Sequence, residues 1–131
     1  MKYTGTIIEE SLEDKSVLKD VKILSTRVEP IKESHQTPWL SQWTLHKVEI
    51  LKEQAKKIAE ELSQALDREH GGSWYADYKN DETHYIIFPD KIFKINRTIA
   101  EQYKAVTEYG LRLDIPDYQV DFKRSVVKNK S

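Results

Sequence analysis

The chain has 131 residues, with 21 basic and 22 acidic side chains, a net charge of -1 and no cysteine. Its length fits one domain burying roughly two-thirds of its extended-chain surface, and the lack of cysteine excludes disulfides, thiolate metal sites and cysteine nucleophiles. The balanced charge excludes a global field that would draw in nucleic acid or an anionic membrane, and no apolar run is long enough for a signal-peptide core or a membrane span, so a soluble cytoplasmic protein without nucleic-acid or membrane partners is expected.

Residues 2–10 (KYTGTIIEE) and 17–29 (VLKDVKILSTRVE) are rich in threonine and β-branched residues and predict two strands separated by the polar turn SLEDKS. Pro30 and Pro38 bracket IKESHQT, which no strand ladder can cross, so a loop is expected there. A two-residue period resumes over 43–50, with Thr44, His46, Val48 and Ile50 on one side and Trp43, Leu45, Lys47 and Glu49 on the other. This predicts a third strand.

Leu51, Ala55, Ile58, Ala59, Leu62, Ala65 and Leu66 recur at spacings of three and four and predict a helix over 51–68, stopped by Gly71 and Gly72. Those glycines follow a helix rather than lead into one, so they do not form a phosphate loop. Ser73–Lys79 and Thr83–Phe88 predict a hairpin, followed by a turn at Pro89 and Asp90 and a short strand over Lys91–Ile95. A two-residue turn at Asn80 and Asp81 would set Asp77 opposite His84. A three-residue turn would set Asp77 opposite Tyr85 and gather Trp74, Ala76, Tyr78, Ile86 and Phe88 with His84 on one face; its greater burial favours it. Thr98 and Glu101 have capping-box spacing ahead of a helix ending at Gly110, and a last short strand is predicted through Val120 and Phe122.

The order βββαββ(β)αβ implies an α+β fold: a mostly antiparallel sheet with two helices packed on one face, in a single domain over 1–131. Residues 123–131 carry Lys123, Arg124, Lys128 and Lys130 without an acid and are expected to form a flexible basic tail.

Chemistry is thinly signposted. His46 and His84 with Asp77 or Glu49 are the candidates for acid-base work, as a small hydrolase or lyase would need. His46 and Glu49 are three apart, which in a strand sends them to opposite faces, so no metal site is expected, and no motif calls for a cofactor. Two-histidine phosphoesterases place a hydroxyl residue two positions after each histidine; here Val48 and Ile86 stand there. No serine lies in a GxSxG elbow. Trp39, Trp43, Trp74, Tyr75, Tyr78 and Tyr85 cluster in two segments near Arg27, Lys47 and Lys79, a set suited to a planar ligand, although such aromatics more often close a small core.

The strings TPWLSQWTLHKVEI, HGGSWYADYKN, YIIFPDKIFKI and GLRLDIPDYQVDF together resemble a family of small bacterial and archaeal proteins of unknown function, over residues from about 20 to 122. The resemblance implies a compact stand-alone domain and supplies no catalytic residues. The sequence is therefore read first as a binding or interaction module, with a small hydrolase or lyase using His46 and His84 with a carboxylate as the alternative. Trp39, Trp43, His46, Trp74, Tyr78 and His84 are expected to line its surface for an unknown small molecule or protein, and a homodimer through sheet edges or an aromatic patch is a further expectation.

Overall fold

A computed structural model describes residues 2–30, 42–67, 74–113, 115, 120 and 122. Trp39, the loop expected between Pro30 and Pro38, Gly71, Gly72 and the expected basic tail lie outside them, as does most of the expected final strand. The elements are β1 (Lys2–Ile8), β2 (Lys22–Pro30), β3 (Gln42–Leu51), α1 (Ala55–Ala65), β4 (Ala76–Lys79), β5 (Thr83–Phe88), β6 (Lys91–Asn96) and α2 (Ala100–Arg112), with short 3-10 turns between β1 and β2 and ahead of α1. The α+β class expected from the sequence holds.

The strands form one antiparallel sheet in the order β2-β3-β1-β4-β5-β6. Both β3 and β4 run antiparallel to β1, so they are parallel to each other with β1 between them, and α1 is the crossover that links them. That connection lays α1 over the face carrying Tyr3, Ile7, Val48, Ile50, Tyr78, Tyr85 and Ile87, into which Ile58, Ala59 and Leu62 pack. Gly5 sits where β1 and β4 come closest: a Cβ there would stand 1.9 Å from the Asp77 carbonyl oxygen and 2.5 Å from Tyr78 Cα.

The helices, expected on one face, divide the sheet between them. α2 follows the edge strand β6 and packs through Tyr103 and Val106 against Ile86, Phe88 and Ile95 on the opposite face. β5 is buried along nearly its whole length because each face has its own apolar set, Tyr85 and Ile87 under α1, Ile86 and Phe88 under α2. Alternation along one strand therefore demands two covers.

Neither predicted hairpin register occurs. Tyr78 pairs with Tyr85 and Asp77 with Ile86, while the Asn80 N–H donates to the Thr83 carbonyl and the Asn80 side chain accepts from the Glu82 and Thr83 amides. The Asn80 cap sets a longer connection, and so Trp74, Ala76 and Tyr78 do not share a face with His84, Ile86 and Phe88. At the next turn Pro89 precedes Asp90 at φ 59, the pattern of a type II turn, and the Asp90 carboxylate accepts from Gln64 of α1 at 3.1 Å.

Both helix boundaries differ from those predicted. Leu51 completes β3, and at the other end Leu66 leaves α1 to bridge Leu12, with the Asp67 amide donating to the Ser11 carbonyl at 2.7 Å. No capping box forms at α2: the Thr98 hydroxyl donates to Asn96 Oδ1 at 2.8 Å, and Ile99 is the N-cap without a side-chain bond. α2 then runs through Gly110, where a Cβ would stand 2.6 Å from Val120 Cγ1.

Candidate functional site

α2 packs on the β5-β6 part of its face. Among the described residues no helix covers the same face over β2, β3 and β1, where an open groove of about 420 Å3 is lined by Thr4, Thr6, Ser25, Arg27, Lys47, Lys79 and Asp77, with Gly5 and Leu45 in its floor. Pairing explains the assembly: Thr6 stands opposite both Lys47 and Asp77, Thr4 opposite Lys79, and Ser25 opposite Lys47. Residues from four strands thus share one face. Three cationic side chains line it against one carboxylate, among three hydroxyls, and the Arg27 guanidinium also donates to Glu29 Oε2 at 3.3 Å. Glu49 lies further along the same face and is held between Lys2 and Lys22 at 3.5 and 3.6 Å.

Asp77 joins this groove to the core. Its carboxylate is 29% exposed, and its Oδ2 accepts from His84 Nε2 at 2.6 Å. His84 is fully buried, and its Nδ1 lies 3.0 Å from the Tyr103 hydroxyl. A carboxylate only accepts, so the arrangement that satisfies every atom has Nε2–H donating to Asp77 and Nδ1 accepting from Tyr103 O–H. Burial raises the Tyr103 pKa above its ordinary value, partly offset by the charge and hydrogen bond of the Arg97 guanidinium. Arg97 in turn donates to the Asn80 carbonyl at 2.5 Å, tying the hairpin connection to the network. The chain of contacts orients Asp77, while both nitrogens of His84 are engaged.

His46 is elsewhere. It pairs with Ile7 in the sheet and so points to the α1 face, where it is buried, its Nε2 donating to Glu9 Oε1 at 3.1 Å and its Nδ1 accepting from the Thr26 hydroxyl at 2.9 Å. His84 projects from the other face, two strands beyond β1. The two histidines do not converge. Among the described residues no three His, Cys, Asp or Glu side chains gather as a metal site requires.

The remaining aromatic candidates are core residues. Trp43 and Trp74 are buried against one another with ring centroids 5.6 Å apart, and Tyr78 is fully buried with its hydroxyl donating to the Ala55 carbonyl. Of the side chains singled out from the sequence, Asp77 and the cations Arg27, Lys47 and Lys79 line the groove, while the aromatic rings expected beside those cations do not. No local signal marks Thr4, Thr6 and Ser25, because small hydroxyl residues are ordinary on a strand's exposed side. Only the pairing of four strands makes them neighbours of Lys47 and Lys79.

No helix among the described residues is long and apolar enough to cross a membrane. No protein-family model, curated protein or solved structure matches the chain.

Proposed function

We propose that the protein binds a small hydroxylated organic phosphate in the groove on the uncovered sheet face. The observation that supports this reading is the lining: Arg27, Lys47 and Lys79 supply charge-assisted donors for an anionic group, and the oriented Asp77 carboxylate supplies an acceptor for a ligand hydroxyl. The Thr4, Thr6 and Ser25 hydroxyls both donate and accept, as a polyol requires. This reading takes a polar lining in place of the aromatic surface expected from the sequence. His46 and His84 stand on opposite faces, so no step of hydrolysis or elimination is assigned to them as a pair.

Calorimetric titration with inorganic phosphate and with glycerol phosphate at low ionic strength tests the reading. Saturable binding is expected, tighter for glycerol phosphate, and Lys47→Ala should weaken it roughly tenfold, the effect of losing one charge-assisted contact. No saturable heat from the intact protein, or an unchanged affinity in the Lys47 variant, overturns it.

A further inference from the structure

β2 is an edge strand: β3 pairs with its inner side, and among the described residues no strand pairs with its outer side. It is nine residues long, and Ile23, Leu24 and Val28 are 42%, 43% and 55% exposed. A long edge with unpaired backbone groups and apolar side chains is a template for a further strand. The order of its residues indicates which strand fits.

We infer that β2 pairs antiparallel with β2 of a second copy, about a two-fold axis through Thr26, and that this pairing joins the two grooves into one site. A two-fold normal to the sheet keeps each side chain on its own face, so only pairings within one face are allowed. The ladder to β3 shifts between Ile23 and Ser25, marking Leu24 as the extra residue of a bulge. With Thr26 opposite Thr26 of the partner subunit, Ser25 meets Arg27 of the partner subunit and Val28 meets Ile23 of the partner subunit. Lys22 then meets Glu29 of the partner subunit. Apolar faces apolar and cation faces anion at both ends.

The neighbouring registers fail on charge. An axis through Ser25 sets Arg27 against Lys22 of the partner subunit, and an axis through Arg27 sets that cation against its own copy. Like charges directly opposed in a sheet are destabilising. Pro30, without an N–H, ends the ladder beyond Glu29.

Ser25 and Arg27 line the groove, so the favoured register places Arg27 of the partner subunit beside Ser25 on the groove face. Each groove then gains a cation from the other copy. This second half of the inference rests on the groove being the phosphate site; the pairing does not.

Sedimentation equilibrium of the full chain over a range of concentrations, without phosphate, tests the pairing. A monomer–dimer equilibrium is expected. Lys22→Glu and Glu29→Lys should each shift it towards monomer, and the double variant should restore it, with circular dichroism showing all three folded. A strictly monomeric wild-type chain, or a dimer indifferent to both single reversals, overturns the pairing. Phosphate titration then tests the shared site: the wild-type chain diluted into its monomeric range should bind about fivefold more weakly than the dimer, the effect of one exposed ionic contact. Equal binding by monomer and dimer removes the shared site and leaves the groove reading standing, whereas absent binding in both removes the groove reading and leaves the pairing to its own test.

Discussion

Tyr103 shows how much of the candidate site depends on a single buried atom. Its hydroxyl meets His84 Nδ1, and His84 has no solvent to replace that partner. Tyr103→Phe keeps the ring against Phe122 but leaves a buried acceptor unpaired, at a cost of about 1–3 kcal/mol. The melting temperature should fall by roughly 3 °C per kcal/mol lost, read by calorimetry. Phosphate affinity should change little, because the bond from His84 to Asp77 remains. An unshifted melting temperature would mean that the hydroxyl contributes nothing to the fold. His84 looked from the sequence like one of a reactive pair. Its neighbours instead make it an internal strut for Asp77, and no local spacing in HYIIF announces a tyrosine nineteen residues later as its partner.

At the scale of elements, α2 reverses a familiar rule. Glycine within a helix ordinarily costs about 1 kcal/mol relative to alanine, so Gly110→Ala would be expected to stabilise. Here the added Cβ would stand 2.6 Å from Val120 Cγ1 and 3.3 Å from Val120 Cβ, and the stiff branched side chain cannot swing clear. Gly110→Ala should therefore destabilise by about 1–3 kcal/mol through overpacking, while the exposed Glu108→Ala on the same helix should stay within about 0.5 kcal/mol of wild type, both measured by urea unfolding. A stabilised Gly110 variant would show that Val120 does not press on the helix. The predicted helix stopped at Gly110 because glycine is the commonest terminator, a sound local inference that tertiary contact overrides. The same competition moved the start of α1: Leu51 fits the apolar period, yet it completes the ladder to Lys2.

The whole molecule stores its tyrosines unevenly with respect to pH. Burial pushes Tyr75, Tyr78, Tyr85 and Tyr103 above the ordinary value of 10.0. Below that value both folded and unfolded chains hold these protons. Above it the unfolded chain releases them first, so stability is fully present up to the unfolded pKa and is lost as pH rises towards the folded one. Alkaline titration should show the phenolate absorbance of these four rising in step with the loss of helical circular dichroism. Their titration while the fold persists would contradict that coupling.

The sequence by itself determined the α+β class, the order of strands and helices as far as α2 and the inner side of β3, because periods of two and of about 3.6 residues are properties of neighbouring positions. Tertiary structure alone decided the insertion of β1 between β3 and β4, the hairpin register and the separation of His46 from His84. It also decided which helix covers which face. Each of these depends on pairing between segments far apart in the chain, where a shift of one residue turns every side chain to the other side of the sheet. The groove belongs to the second group: Thr6, Lys47 and Asp77 lie on three strands, and only the ladder through β1 makes them one surface.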